Sequence, residues 1–393
     1  MGRVSDAEVE QAGGLQVYVK ELNKRIKNDN MESKEKSAAT LASLAEQLAD
    51  NAKAIGRMNA VSGLIALVMK GSPVAQEHAA NCLATLARAS SEVQLDMIKR
   101  GAIEPLATVL RSGGGSAQEA AAAAFAAISD QDEAQQTIMK LSCVGTMVDL
   151  LKRGSSTAQV NAAQALANLA GLSVQMQTEV HQAGAIKYLL HLLGSGRAQE
   201  YAARAIARLT CRNGTIQADV CKQGGIAKLL ALMSDADVRK QIQAANALAE
   251  LAQGPHGLGH RRTQDAVSKA GGISPLLNMI ECIPINTKVV AASVRCLAEV
   301  ARRNRANQDT IASMGGLRPI VELLQSGSHP EVVQANAALA ITEICRLNTE
   351  NQNAVAEIGG IGQLVVLLRH SGKESVEGEV AGAMWTMSVG NTP

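Results

Sequence analysis

Aromatic side chains are scarce in this 393-residue chain, which has one tryptophan, one phenylalanine and three tyrosines. Proteins that bind single-stranded nucleic acid stack the bases on such side chains. Dedicated nucleic-acid binders also carry a basic excess, whereas the formal net charge here is only +2. Clusters of β-branched and aromatic residues, which favour strands, are missing as well. The composition therefore predicts an all-α protein that binds no nucleic acid.

Long apolar runs are also missing. No stretch approaches the ~20 residues that cross a bilayer, and no secretory signal is visible, so we expect no transmembrane segment. The cysteines are odd in number and form no CxxC pair, which is typical of reduced core cysteines in a reducing compartment. They are Cys82, Cys143, Cys211, Cys221, Cys282, Cys296 and Cys345. We expect a cytoplasmic protein, with the nucleus as the alternative.

What the sequence does contain is clearest in residues 177–210, which predict three helices in succession. The first, Gln177–Gln182, ends before Gly184, where the missing Cβ permits a sharp turn. The second carries apolar residues at i, i+3, i+4 and i+7, the stripe of a buried helix face. The third places Ala202, Ala205, Ile206 and Leu209 on one side and Arg204 and Arg208 on another.

This three-helix pattern recurs along the chain. The glycine before the second helix, or its positional equivalent, returns every 40–47 residues: Gly13, Asn59, Gly101, Ser142, Gly184, Gly224, Gly271, Gly315 and Gly359. Seven residues ahead of it stands a glutamine: Gln94, Gln135, Gln177, Gln217, Gln264, Gln308 and Gln352. Another glutamine precedes the third-helix core: Gln76, Gln118, Gln159, Gln199, Gln241 and Gln334. Three markers in register indicate a repeat protein, although the spacing gives the glutamines no role.

The repeats extend over almost the whole chain, so we expect one elongated domain, residues 1–393. The approximate repeats are 5–50, 51–92, 93–133, 134–174, 175–214, 215–261, 262–305, 306–349 and 350–393. Residues 6–12 match the first helix of a repeat. The mixed-charge stretch Lys24–Lys36 is expected to be a solvated loop.

Two strings carry a family resemblance. One is GAIxxLxxLL, here Gly184-Ala185-Ile186 with Leu189, Leu192 and Leu193; the other is QxxAAxALAxLA, here Gln159 with Ala162, Ala163, Leu166 and Leu169. With a period near 42, they resemble armadillo repeats. The resemblance implies a right-handed superhelix, an α-solenoid of about nine three-helix repeats, whose third helices line a concave groove. It also implies a scaffold or adaptor that binds extended peptides, helices or other protein partners.

The resemblance places two positions of each third helix, four residues apart, on that groove. By spacing they are Asn81 and Thr85, Gln164 and Asn168, Arg204 and Arg208, Asn246 and Glu250, Arg295 and Glu299, and Leu339 and Glu343. The order of charges, arginines and then glutamates, would complement a partner with acidic and then basic segments. The alternative is that these side chains are simply solvated.

A transport receptor is disfavoured. Importin-α-type receptors carry tryptophan at the first of the two positions and asparagine at the second, where they clamp a basic peptide. In this chain no repeat has the tryptophan, and only Asn168 supplies the asparagine.

The last helix carries Met384, Trp385 and Met387, which we expect to form a terminal interface because stacked repeats need a polar cap. Three explanations stay open: a partner covers this face, the chain continues in a longer protein, or the chain self-associates. The same feature supports a second function class, a structural subunit of a cytoskeletal, axonemal or membrane-associated assembly.

Motifs for catalysis, metals and cofactors are absent. There is no HExxH or GxSxG, and His256 and His260 lie in a glycine-rich loop with no neighbouring cysteine or carboxylate. A Ser/His/Asp set assembled in space would need a dry pocket, which stacked repeats rarely enclose. We therefore expect no catalytic residue, no metal and no cofactor.

Overall fold

The computed structural model describes residues 14–27, 30–171, 173–194, 196–254, 257, 259–281, 286–370 and 372–389. Over these ranges the chain forms helices and no strand, which confirms the all-α prediction. The expected helix at residues 6–12, the marker Gly13, His256 and Cys282 lie outside the described residues.

The chain divides into two compact units. The first comprises Met1–Leu189 with Gly196–Ala198. Its helices are α1 (Leu15–Asn23), α2 (Met31–Gln47), α3 (Ala49–Arg57), α4 (Ala60–Lys70), α5 (Pro73–Ala89), α6 (Ser91–Lys99), α7 (Ile103–Ser112), α8 (Gly115–Ile128), α9 (Asp132–Lys140), α10 (Val144–Arg153), α11 (Ser156–Ala170) and α12 (Val174–Gln182). The boundary between the units falls within α13 (Ala185–Leu192).

The second unit comprises Leu190–Ser195 with Gln199–Pro393. Its helices are α14 (Gln199–Thr210), α15 (Gly214–Lys222), α16 (Gly225–Met233), α17 (Val238–Gln253), α18 (Arg261–Lys269), α19 (Ile273–Glu281), α20 (Thr287–Ala301), α21 (Arg305–Ser313), α22 (Leu317–Glu322), α23 (Glu331–Cys345), α24 (Thr349–Glu357), α25 (Gly360–His370) and α26 (Glu374–Ser388). That the two units form one domain stays a prediction.

The helices follow the predicted order of two shorter helices and one longer helix. The first helices from α3 to α24 have 9 residues each, and the third helices from α2 to α26 have 12–17. Successive third helices make the most extensive contacts, α2–α5–α8–α11 in one unit and α14–α17–α20–α23–α26 in the other. The number of repeats and the handedness of their stacking stay predictions.

Small and branched apolar side chains fill the space between these layers. The predicted stripe of α14 is buried, and so are Leu166 and Leu169 of α11 and the phenylalanine Phe125 of α8. Burying one leucine contributes about 1.5–3 kcal/mol. Because much of each third helix faces another third helix, that stabilisation depends on neighbouring repeats and not on one repeat alone.

The recurring glycine occupies a left-handed turn. Every described member of that marker set has a positive φ, between 51° at Ser142 and 84° at Gly359. Glycine adopts this conformation without a Cβ clash, and Asn59 tolerates it. The turn lets the chain end the first helix and begin the second helix immediately, so the position requires a conformation and not a particular side chain.

The first set of glutamines joins the ends of third helices. Gln308 on α21 is buried, and its Nε2 donates to the carbonyl oxygens of Ala301 at the end of α20 (3.4 Å) and of Glu343 near the end of α23 (2.8 Å). Gln94, Gln217 and Gln352 likewise each donate to two successive third helices. The last carbonyls of a helix have no intrahelical partner. One buried amide therefore caps two helix ends at once.

The second set of glutamines caps second helices. Gln159 donates to Leu151 O at 3.2 Å, and Gln241 donates to Asp235 O at 2.8 Å, just beyond the end of α16. Gln76, Gln199 and Gln334 make the equivalent bond in their repeats. Both recurring glutamines thus satisfy backbone groups between helices, a role that the spacing alone did not reveal.

The stretch Lys24–Lys36 is not a loop throughout, because α2 begins at Met31. Lys34 is fully buried, and its ammonium donates to the carbonyl oxygens of Glu21 (2.8 Å) and Leu22 (2.6 Å) at the end of α1. A cation at a helix C-terminus satisfies its free carbonyls and its negative dipole end. Burial nevertheless lowers the pKa of the Lys34 amine.

Across the parts of the chain described above, no single helix is both long and apolar enough to span a bilayer. The pair α3 and α4 reaches that length and hydropathy only when joined across an 85° bend.

Candidate functional site

The third-helix face consists of the two positions, four residues apart, that the sequence places on one side of each third helix. The first position is half-buried in all the repeats for which it was predicted: Asn81, Gln164, Arg204, Asn246, Arg295 and Leu339. Such side chains are held by the neighbouring helices and still touch solvent. This exposure is what a recognition surface on a rigid helix layer requires.

Three of these first-position side chains are amides. Asn81, Gln164 and Asn246 make no side-chain hydrogen bond to any residue that the structure describes. An amide offers two donors and a carbonyl acceptor. Each of the three can therefore pair with both the N–H and the C=O of a peptide backbone.

The second positions are mostly engaged within the protein. Asn168 Nδ2 donates to Ala126 O (3.2 Å) and Ser129 Oγ (3.1 Å) of the preceding repeat. Thr85 Oγ1 donates to Asn81 O at 3.0 Å, within its own helix. Arg208 is exposed on α14. The second positions thus brace the helix layer more than they face solvent.

The glutamates at the C-terminal second positions are not the exposed acidic surface that the sequence suggested. The side chains of Glu299 and Glu343 are only 2% exposed. Arg302 Nε and Nη2 donate to Glu299 at 2.8 and 3.1 Å, and Arg302 Nη1 donates to Glu343 Oε1 at 2.9 Å. Arg346 Nε and Nη2 also donate to Glu343, both at 3.0 Å. A buried carboxylate is stable only with such partners.

These contacts form a charge ladder, defined here as Glu250, Arg295, Glu299, Arg302, Glu343 and Arg346. Arg295 on α20 donates to Glu250 on α17, so the ladder links three successive third helices. The sequence reasoning missed Arg302 and Arg346. The signal was the i, i+3 spacing from Glu299 and Glu343, which brings the side chains together on a helix.

Glu379 on α26 adds one more carboxyl beside this ladder. Burial raises the pKa of the Glu379 carboxyl, Arg302 opposes that shift, and the charges of Glu343 and Glu299 reinforce it. Unlike the two ladder glutamates, Glu379 makes no ion pair with a residue in the described ranges.

The predicted terminal interface is only partly exposed. Trp385 is 62% exposed and Met384 is half-buried, whereas Met387 is buried at 6%. Since Trp385 and Met387 lie two residues apart on α26, they project from different sides of the helix. The expectation that Met387 belongs to an exposed face is wrong.

Groups for metal binding or nucleophilic chemistry do not converge. Within the described ranges, no three His, Cys, Asp or Glu side chains lie where they could hold a metal. None of the six described cysteines forms a disulfide. Burial raises the pKa of the Cys82, Cys296 and Cys345 thiols to about 12. A buried thiol of that kind is a poor nucleophile.

Comparisons with known proteins agree with this architecture. Residues 304–346 match the family model of the armadillo/β-catenin-like repeat. The crystal structure of an engineered protein aligns over 98% of this chain and 92% of its own, with 28% identity and a TM-score of 0.78. A second engineered protein covers 62% of this chain and 96% of its own, with 29% identity and a TM-score of 0.56.

A designed armadillo repeat protein aligns over 62% of this chain and 99% of its own, with 24% identity and a TM-score of 0.56, which supports the fold alone. A comparison with curated proteins finds no match. The armadillo solenoid is generally a protein-interaction scaffold and is typically non-catalytic. The family match of residues 304–346 and the similarity to designed armadillo structures support an armadillo-repeat family for this chain, in which a three-helix unit with a left-handed turn recurs.

Proposed function

We propose that this chain is a non-catalytic scaffold that binds extended segments of partner proteins along its third-helix face. The observation that carries the proposal is the set of three half-exposed amides, Asn81, Gln164 and Asn246, at one register position of three third helices. An extended segment presents backbone donors and acceptors along its length, and each amide matches one donor and one acceptor.

The partner's side chains would be selected by the charged side chains at the same two positions of the third helices. Arg204 and Arg208 lie on α14, four residues apart on one face. The glutamates that follow them in the sequence are neutralised by the arginines of the charge ladder. We therefore expect acidic residues in the partner to be selected opposite α14, and no strong selection for basic residues opposite α20 and α23.

We place this activity in a reducing compartment, the cytoplasm, with the nucleus as the alternative. The six described cysteines form no disulfide and four of them are buried, which supports that assignment. A transport-receptor function is disfavoured, because the six first positions carry three amides, two arginines and one leucine, and none carries the tryptophan on which a basic peptide would stack.

The second candidate function is a structural subunit of a larger assembly, favoured by the 62% exposure of Trp385. Light scattering separates the two functions. A monomer at all concentrations supports the scaffold, whereas association that rises with concentration and is lost in Trp385→Ala supports the subunit.

The test of the scaffold uses 12-residue random peptides displayed on phage and selected on the purified chain. Asn81→Ala, Gln164→Ala and Asn246→Ala are combined in one variant. We expect the selected peptides to bind this variant about 100-fold more weakly, because each lost pair of backbone hydrogen bonds costs about 1 kcal/mol. Affinities are measured by fluorescence anisotropy.

The matched control carries Gln16→Ala, Gln182→Ala and Gln363→Ala, three amides of first and second helices that also lack a side-chain partner in the described part of the chain. It should bind the selected peptides as the wild type does. Equal weakening of both variants, or no weakening of the first, would refute the proposal that the third-helix face binds the peptides.

A further inference from the structure

A groove lies across the ends of the third helices α20, α23 and α26. None of the three amides Asn81, Gln164 and Asn246 lines it. Its volume is about 580 Å³. We name it the edge groove and define it by its lining residues, which are Arg303, Arg305, Gln308, Arg346, Leu347, Trp385, Thr386 and Val389. We propose that the edge groove docks an extended segment of a partner protein in which an apolar side chain is flanked by carboxylates.

The apolar part of this proposal rests on two side chains that share the groove. Leu347 is 78% exposed, more than any other large apolar side chain in the described ranges, and Trp385 is 62% exposed. Single exposed apolar residues are ordinary, but two large ones in one concave site mark a surface that is covered when a partner binds.

The backbone at Leu347 adds an independent observation. Leu347 has a φ of +53°, a left-handed conformation that costs a side-chain-bearing residue roughly 1–2 kcal/mol. The equivalent positions in two other repeats, Arg212 and Arg303, have the same turn and carry arginine. A leucine here gains nothing by burial and is strained, so its side chain serves something other than the fold.

The charged side chains of the edge groove determine which kind of peptide it can bind. Every charged side chain that lines the edge groove is an arginine. Arg346 donates from Nε and Nη2 to Glu343, and Arg305 donates from Nε to Asp309 and from Nη2 to Glu350. In both arginines, Nη1 makes no hydrogen bond to a described residue and is available to a ligand.

Arg303, which is exposed, has no ion pair with the residues that the structure describes. Guanidinium groups bind carboxylates through two parallel hydrogen bonds. Carboxylates on either side of an apolar residue would reach Arg303 and Arg346 while that residue packs between Leu347 and Trp385. The aromatic ring of Trp385 supplies apolar contact area that a purely polar ligand would not use.

The proposal does not rest on the peptide binding proposed for the third-helix amides, and its test separates the two. The probe is a fluorescent 12-residue peptide of alternating aspartate and leucine, with anisotropy as the readout. Two companion probes alternate aspartate with serine and lysine with leucine. We expect only the aspartate–leucine peptide to bind. We also expect the triple variant Asn81→Ala, Gln164→Ala and Asn246→Ala to bind this peptide as tightly as the wild type does.

Arg303→Ala should weaken binding of the aspartate–leucine peptide about tenfold, since it removes one charge-assisted contact. Arg212→Ala is the matched control, because Arg212 has the same left-handed backbone and lies outside the groove. Leu347→Asn should weaken binding about tenfold and leave the melting temperature unchanged or higher, since asparagine tolerates this turn.

Several outcomes would overturn the docking site. They are equal binding by wild type and Arg303→Ala, equal binding of the serine or lysine probe, and no binding of the aspartate–leucine probe. A lower melting temperature in Leu347→Asn would show that the leucine serves the fold. Self-association abolished by Leu347→Asn would mean that a second copy of the chain fills the groove.

Discussion

In four repeats a buried glutamine, Gln94, Gln217, Gln308 or Gln352, holds two neighbouring third helices together by their ends. Gln308 is 2% exposed, and its Nε2 reaches the carbonyl oxygens of Ala301, Glu343 and Arg346. Its Oε1 accepts a hydrogen bond from Asn348 at 3.2 Å, so both ends of the amide are used. A buried carbonyl that loses its donor keeps its full desolvation cost, so a glutamine at this position has no apolar substitute.

Gln308→Met preserves the length of the side chain and removes every one of these hydrogen bonds. We expect the free energy of unfolding to fall by about 2 kcal/mol. We also expect backbone amides in the last turns of α20 and α23 to exchange faster with solvent. Chemical denaturation and hydrogen-exchange mass spectrometry measure the two effects.

Gln182→Met is the control for this substitution, because Gln182 is exposed on α12. Its effect on unfolding should stay within about 0.5 kcal/mol. If the two variants unfold alike, the buried amide is not a stabilising link between third helices.

At single positions the sequence predicted the backbone conformation of a residue better than the hydrogen-bond partners of its side chain. The marker containing Ser142 and Asn59 predicted a turn, and both residues have the left-handed backbone that the glycines have. The glutamines were visible as a period only. Their partners are backbone carbonyl groups of two different helices. Because every residue has a carbonyl group, no pattern of side chains in the sequence predicts which carbonyls the glutamines bind.

Among the helices, the charge ladder makes the third-helix layer of the second unit rigid through paired charges. Buried Glu299 pairs with Arg302, and buried Glu343 pairs with both Arg302 and Arg346. Glu379 is the exception beside the ladder, since its carboxyl has neighbours of both signs and no ion-pair partner in the described ranges. It is therefore the carboxyl whose protonation should change the stability of this layer.

The sign of that change follows from the raised pKa of Glu379. A carboxyl whose pKa is higher in the folded chain than in the unfolded chain stabilises the fold when protonated. That contribution is complete below the usual value of 4.5 and is lost as the pH rises through the raised pKa. At pH 7 the ionised Glu379 carboxylate therefore lowers the free energy of unfolding.

Glu379→Gln should increase the free energy of unfolding at pH 7 by less than about 1 kcal/mol, with the gain disappearing near pH 4. Denaturation at both pH values measures this gain, with Glu357→Gln, which removes an exposed carboxyl of α24, as the control substitution. A loss of stability at pH 7 would instead make Glu379 a charged partner of Arg302.

Helix identity was predictable from apolar periodicity, but helix length and the burial of charge were not. The stretch Lys24–Lys36 has the composition of a loop, yet α2 begins at Met31, and Lys34 within it is buried where it binds the open carbonyls of α1. The glutamates of the ladder have the composition of a solvated face, yet they are buried because Arg302 and Arg346 neutralise them. Both errors have one cause. A charged side chain is predicted to be exposed unless the group that pairs with it is known, and the sequence does not show that group.

For the whole molecule, repetition of one three-helix unit accounts for the architecture. The repeats share an apolar stripe and a left-handed turn, and in several of them a buried glutamine also bonds the third helix of the next repeat. The same repetition places Asn81, Gln164 and Asn246 at one register position. The stack thus produces a series of similar recognition positions from residues that the fold itself leaves unpaired.

The most direct measurement of that central claim is photo-crosslinking of a selected 12-residue peptide that carries a benzophenone side chain, followed by mass spectrometry. The account predicts crosslinks in third helices, close to Asn81 or Gln164 on α5 or α11 of the first unit, or close to Asn246 on α17 of the second unit. The crosslinks should disappear when an unlabelled copy of the peptide is added in excess. Competed crosslinks confined to the first helices α6, α12 and α18 would contradict the account.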